Sequence, residues 1–248
     1  MKVVQAAVLG FSLLSFVGST QAAIIDFENF TAGTIIDNEY VTSHGVTISG
    51  VNTYNTPDTN NVATVFDSNN FTGGDRDLAA PFYKNTDSQK ENAFTPGNIL
   101  VIHETASECN GITCTDPDDA GKSGSSGSGY FEFSFSEQTT LNSIDFFDIE
   151  YNEANAPKFA IELYSDDAFT NIVFEDIYYV PSTGGDNTWD RLFFADVTGV
   201  MSMRINFGGS GAIDNIDYTS VPAPSSLFLS ILCFIGFRAF NKKNSKVK

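Results

Sequence analysis

Tyr130-Phe131-Glu132-Phe133-Ser134-Phe135-Ser136 alternates aromatic with polar residues at a period of two. A β-strand sends successive side chains to opposite faces, so the three phenylalanines supply one apolar face and Glu132, Ser134 and Ser136 the wet one. The pattern recurs elsewhere. Phe159, Ile161 and Leu163 alternate with Lys158, Ala160 and Glu162, and Met201, Met203, Ile205 and Phe207 alternate with Ser202, Arg204 and Asn206. Segments 141–150 and 171–180 are denser in apolar residues and are expected as central strands packed on both faces. Turn signals separate the runs at Pro57-Asp58, Gly73-Gly74, Pro96-Gly97, residues 181–185 and Gly208-Gly209. No stretch of the body carries a helical stripe with caps. The reading is all-β, a single antiparallel β-sandwich of jelly-roll type over residues 23–220.

Composition agrees with a packed core and narrows the partners. The 248 residues include 23 Phe, 9 Tyr and 1 Trp, which opposes disorder of the whole chain. Against 31 Asp and Glu stand 13 Lys and Arg, a formal net charge of -18. Six of those bases, Lys2, Arg238, Lys242, Lys243, Lys246 and Lys248, lie in the two ends, where there is no acid. Residues 23–220 therefore set all the acids against seven bases. Such a surface repels phosphate backbones and anionic lipid, so no nucleic-acid partner is expected.

The ends carry targeting chemistry. Lys2 precedes an apolar run over 3–17, and Ser19-Thr20-Gln21-Ala22-Ala23 offers small residues for cleavage after Ala22 or Ala23. Residues 1–22 are expected to be a signal peptide, because about 15 apolar residues fall short of the ~20 that span a bilayer. At the other end, Val221-Pro222-Ala223-Pro224 is followed by an apolar stretch over 227–237, then by Arg238 and a basic tail to Lys248. This is a rigid polar stop, a short transmembrane helix and a positive cluster that stays on the cytoplasmic side. The stretch is marginal for permanent anchorage and sufficient to hold a chain until it is cut.

In order and spacing, residues 221–248 resemble the PEP-CTERM sorting signal of Gram-negative exported proteins. Ala223 stands where that pattern has Glu. The resemblance implies processing by an exosortase-type membrane enzyme, transient membrane attachment through the C-terminal helix, and delivery to the cell surface or an exopolysaccharide matrix. An ordinary single-span anchor is the alternative.

One long interruption, residues 104–129, is expected to be a flexible acidic and Gly/Ser loop. It holds Cys109 and Cys114 around the turn signal Asn110-Gly111. In an oxidising compartment these form a loop-closing disulfide, and a redox or metal pair is the other reading. Gly121-Lys122-Ser123 imitates a phosphate-binding loop, but Asp116 occupies the position of its first glycine. Asp116 and Asp118 imitate an EF-hand start, yet Ala120 and Gly127 stand at positions 5 and 12. A loose calcium loop or a solvated acidic loop is left.

Asp26 and Glu28 open the body, and Asp214, Asn215 and Asp217 close it. In a closed sandwich the first and last strands often adjoin, so Asp26, Glu28, Asp214 and Asp217 are candidate ligands of a hard cation that takes six to eight oxygens. Asp214 differs in strand parity from Asn215 and Asp217, so the faces do not agree. These ends resemble those of extracellular jelly-roll domains, including galactose-binding-like and carbohydrate-binding modules, and the resemblance implies a structural calcium between them.

Catalysis has little support. The body has His44 and His103 and no nucleophile elbow between a strand and a helix. Carboxylate pairs such as Asp145, Asp148 and Glu150 are too abundant to inform. Trp189 and Tyr179, with Tyr178, are candidates either for stacking on a sugar ring or for packing. Asn29-Phe30-Thr31 and Asn70-Phe71-Thr72 fit the glycosylation sequon. The expectation is a non-enzymatic, exported cell-surface or matrix protein associated with exopolysaccharide. A calcium-stabilised carbohydrate-binding module and an envelope glycoside hydrolase are the alternatives.

Overall fold

Ten strands follow in chain order: β1 (Gln21–Ile25), β2 (Val46–Asn52), β3 (Ala63–Asp67), β4 (Asn98–Ile102), β5 (Gly129–Phe147), β6 (Ala160–Tyr164), β7 (Tyr178–Tyr179), β8 (Trp189–Phe193), β9 (Val200–Phe207) and β10 (Ala212–Val221). The computed structural model describes residues 20–53, 60–72, 75–85, 92–120, 127–173, 178–195 and 197–221. Residues 1–19 of the expected 1–22 signal peptide, and Pro222, Ala223, Pro224 and Arg238 of the sorting motif, lie outside the described residues, while Gln21 and Ala22 of that segment begin β1. Val221 ends β10. Among the described residues no helix is long and apolar enough to cross a membrane.

The antiparallel hydrogen-bond network is continuous, and β5 divides it into two leaves. The first part of this 19-residue strand lies between β2 and β9, and the order β2-β5-β9-β6-β7 forms the first leaf. The second part lies between β10 and β8. There β3-β4-β10-β5-β8 forms the second leaf, with β1 beside the later residues of β10. Phe131, Phe133 and Ile205 from the first leaf meet Phe146, Ile213 and Leu100 from the second in one buried cluster. The alternation read from the sequence therefore points its phenylalanines inward. The expectation of an all-β antiparallel sandwich holds.

A second cluster explains why Ile99-Leu100-Val101-Ile102 is apolar at every position. Leu100 and Ile102 face the main core, whereas Ile99 and Val101 face Phe66, Phe147, Leu78 and Phe82 on the opposite side of the second leaf. A strand covered on both faces has no position left for a polar residue. Of the expected segment 141–150, the strand ends at Phe147, and residues 141–147 behave the same way, with Ile144 and Phe146 in one cluster and Phe147 in the other.

Segment 171–180 does not. Among its described residues Ile172 is exposed and only Tyr178 and Tyr179 form a strand, at the edge beyond β6, while 174–177 lie outside the described residues. Local chemistry is the reason: the Asp166 carboxylate accepts from the backbone amides of Ala168, Thr170 and Asn171 and winds 166–171 into a tight loop. The expectation for 104–129 is also corrected over its first part. Residues 104–120 fold back on the body: Thr34 bridges Thr113, the amide of Cys114 bonds the carbonyl of Gly33, and Ala120 joins the core. Residues 121–126 lie outside the described residues.

The parity conflict at the end of the chain resolves as a bulge. Asp214 pairs with Asp145 and Asp217 with Ser143, so β10 carries one extra residue there, and Asn215 takes φ 48°. Before the bulge Ile213 faces the core, and after it Ile216 and Tyr218 do. The inserted residue keeps the apolar side chains inside.

Each part of β5 carries one acid matched in register to an arginine. Asp145 pairs with Arg191 of β8, and Glu132 with Arg204 of β9. Asp145 is fully buried and accepts from Arg191 Nε at 2.5 Å and Nη2 at 2.7 Å. Removing one partner of a buried pair leaves an uncompensated charge. Arg191→Met is therefore expected to destabilise the fold by about 3–5 kcal/mol in urea unfolding. Arg204→Met, whose partner Glu132 keeps access to water, is expected to cost less.

Candidate functional site

The outer face of the first leaf is built by the polar half of the alternation. Register aligns Ser49 on β2, Glu132 on β5, Arg204 on β9 and Glu162 on β6 in one row across four strands. Arg204 donates to Glu132 Oε1 from Nε at 3.0 Å and from Nη2 at 2.5 Å, and its Nη1 lies 3.9 Å from Glu162 Oε2. Tyr164 donates its hydroxyl proton to Glu162 at 3.0 Å. The guanidinium sits 4.8 Å from the ring centre of Tyr130 and 5.4 Å from that of Phe169. Phe169 arrives on the loop tied down by Asp166, whose carbonyl accepts from Ser202 Oγ. Two hollows flank the row. One, of about 230 Å³, is lined by Tyr130, Lys158 and Asn206, and the other, of about 250 Å³, by Ser49, Glu132 and Phe169. This surface offers fixed hydrogen-bonding groups between aromatic rings.

The residues singled out from the sequence distribute differently. Trp189 is half-buried on β8, with its ring 4.6 Å from that of Phe94 and Lys84 Nζ 4.8 Å from its centre, a packing environment. Tyr179 lies on β7 opposite Ala160, and Tyr178 packs its ring 4.8 Å from Phe194. Strands β7 and β8 do not pair, so Trp189 and Tyr179 share no strand contact. Cys109 and Cys114 form the expected disulfide. His103 is buried beside it, yet the bonded sulfurs cannot serve as thiolate ligands. The His44 ring contacts Ser43 Oγ and the carbonyl of Ile24, and among the described residues no carboxylate hydrogen-bonds it to complete a triad.

The four proposed calcium ligands do not converge. First and last strands do adjoin, with Ile24 opposite Asp217, but no three of Asp26, Glu28, Asp214 and Asp217 bring oxygens within 4.8 Å of one another. The positions are already committed: Glu28 accepts from the amide of Asn98, and Asp217 accepts from Asn142 Nδ2. Asp214 is buried opposite Asp145 ahead of the bulge, and burial, with the charges of Asp145, Glu28 and Asp26 adding, pushes it up to about 8.

Acids gather instead at the end of the sandwich where β5 exits. Oxygens of Asp148, Glu150 and Asp186 lie within 4.8 Å of one another, as do those of Asp75, Asp118 and Asp119. The two groups feel each other's charge. Burial, then Glu150, Asp75, Asp77 and Asp186, pushes Asp148 up to about 8, and burial and Glu150 do the same to Glu153. Burial, reinforced by Asp75, raises Asp118 to about 7, and burial raises Asp75 to about 6. Asp119 is also raised, although it accepts from the amide of Gly211. Nothing in the sequence predicted this gathering, because its members come from four separated segments. The Glu132, Arg204 and Glu162 row was half visible, since each stands at a polar position of a recognised strand and only the register was missing.

No family model matches the chain, and no curated protein matches it. Two solved structures show a distant likeness. Discoidin II from Dictyostelium discoideum is 9% identical over 42% of this chain and 42% of its own, with a TM-score of 0.29. CpGH89CBM32-6, produced by Clostridium perfringens, is 14% identical over 38% of this chain and 69% of its own, with a TM-score of 0.22. The alignment with discoidin II thus spans less than half of either chain.

The raised carboxyls set a pH dependence. In the ion-free protein they hold protons more tightly folded than unfolded, where Asp and Glu titrate near 4. Their contribution is complete below about pH 4 and is lost as pH rises through the folded values of about 6 to about 8. Thermal melts in chelator are expected to give a higher Tm at about pH 5 than at about pH 8.5.

Proposed function

We propose that this chain is an exported, non-catalytic carbohydrate-binding β-sandwich, with the outer face of the first leaf as its glycan-contact surface. The observation that carries the reading is Arg204, fixed between Glu132 and Glu162 and flanked by Tyr130 and Phe169. A planar guanidinium and carboxylates match the vicinal hydroxyls of a sugar, and aromatic rings accept its apolar C–H face. Because the groups are already held by one another, binding costs little ordering entropy. The acidic body favours neutral glycans over anionic ones.

Burial supports the non-catalytic part of the proposal. Asp148 is 1% and Glu153 2% exposed, so these perturbed carboxyls are sealed from a polysaccharide. Glu132 and Glu162 are held as acceptors by Arg204 and Tyr164 instead of being poised around a scissile bond. Export through residues 1–22 and sorting through the PEP-CTERM-like tail over 221–248, handled by an exosortase-type enzyme, would place this face in an exopolysaccharide matrix.

A polysaccharide and glycan-array screen of the full chain is expected to find saturable binding to at least one neutral glycan. Tyr130→Ala and Glu162→Gln are each expected to weaken it about tenfold, the scale of one lost stacking or charged hydrogen-bond contact. Absence of saturable binding, or binding indifferent to both changes, would overturn the proposal. Intact-mass analysis of the envelope fraction is expected to find a product lacking residues 1–22 and 227–248, and a product retaining 227–248 would contradict processing.

A further inference from the structure

The chain leaving β5 turns sharply at Asp148, which takes φ 57°. Segment 183–188 is stapled to it. The amide of Ile149 donates to Thr183 Oγ1 at 2.8 Å, the amides of Thr183 and Gly184 donate to the carbonyl of Ile149, and the amide of Asp148 donates to the carbonyl of Thr188 at 3.0 Å. Thr183 and Gly185 are buried while Gly184 and Asp186 are exposed, so this frame is anchored in the interior and open at its edge. It carries Asp148 and Glu150 on one side and Asp186 on the other.

Within the frame, one oxygen from each of these three acids falls within 4.8 Å of the others. Asp148 is 1% exposed, and its Oδ1 and the buried Glu150 Oε2 have no hydrogen-bond donor among the described residues. A buried carboxylate oxygen without a donor costs free energy that a native fold normally recovers with a partner. The neighbouring group is better supplied, since Asp75 Oδ1 accepts from the amides of Asp77 and Leu78 and Asp119 from that of Gly211, although Asp75 Oδ2 also has no donor among the described residues. The strongest charges acting on Asp148, those of Glu150, Asp75, Asp77 and Asp186, are all negative. Asp186 is exposed and leaves a path from solvent.

We propose that Asp148, Glu150 and Asp186 bind one hard divalent cation of the calcium class. The donors are all carboxylate oxygens, with no imidazole or thiolate to favour zinc or copper. Three carboxylates offer up to six oxygens, and water entering past Asp186 completes the six to eight that calcium takes. The cation supplies the positive charge the site lacks and locks the 183–188 segment to the end of β5. The inference is independent of the glycan reading.

Equilibrium dialysis of the chelator-stripped full chain against calcium chloride, with thermal melts in parallel, tests it. One calcium per chain and a rise in Tm with calcium are expected, because a ligand bound only to the folded state stabilises it. Asp148→Asn keeps the shape and removes an uncompensated charge. It is expected to melt at or above wild type in chelator while its calcium affinity falls at least about tenfold. Asp186→Asn, at an exposed position, is expected to lose affinity with no change in the chelator melt. Asp118→Asn is expected to bind calcium nearly as wild type does. Absence of bound calcium at millimolar concentration would overturn the assignment. So would undiminished binding by Asp148→Asn and Asp186→Asn, or loss of binding only in Asp118→Asn.

Discussion

Among the described strands, every ladder that joins one leaf of the sandwich to the other runs through β5. Its first residues pair with β2 and β9 and its last with β10 and β8, so a single strand sets the register of four neighbours. A one-residue slip would turn Phe131, Phe133 and Phe135 to solvent and bring Glu132 and Ser134 into the core. That cost fixes the strand, and the strand fixes the row of Ser49, Glu132, Arg204 and Glu162 on the outer face. The candidate binding surface and the core are the two sides of one alternation.

Charge obeys the same constraint. A body with seven bases cannot pair all its acids, and two of its arginines are spent on β5 itself, at Asp145 and Glu132. The acids that follow the strand, Asp148, Glu150 and Glu153, meet others from 75–77, 118–119 and 186, and the strongest charges acting on Asp148, Glu153 and Asp118 are those of other acids. Burial raises the proton affinity of Asp75, Asp118, Asp119, Asp148 and Glu153, because ionisation there is poorly compensated. The polar face and the acidic end thus differ in kind. One is a paired surface, proposed to meet a neutral ligand, and the other is an interior short of donors, proposed to hold a cation.

The alternation at 130–136, 159–163 and 201–207 made the strands and their inward faces legible, because a period of two depends only on neighbouring residues. The disulfide was legible for the same local reason, with two cysteines around an Asn-Gly turn. What could not be read was anything set by register. The first and last strands adjoin as expected, yet Asp26 and Glu28 fall just beyond β1, and register shifts on either side of Asp217 leave Asp214 opposite Asp145 and Asp217 bonded to Asn142. Segment 171–180 looked like a central strand by composition, but the carboxylate of Asp166 takes its start into a tight loop. Trp189 was chosen for its chemistry alone, and its ring is occupied by Phe94 and Lys84. Residues far apart in the chain met where no sequence pattern announced it.

The central claim is that β5 makes the two leaves one cooperative unit. Native-state hydrogen exchange of the full chain, read amide by amide along residues 129–147, tests it most directly. The account predicts that the slowest-exchanging amides of both parts of β5, including those facing β9 and those facing β10, share one opening free energy equal to that of global unfolding. Two distinct opening free energies, with the 129–135 part exchanging separately from the 138–147 part, would contradict it.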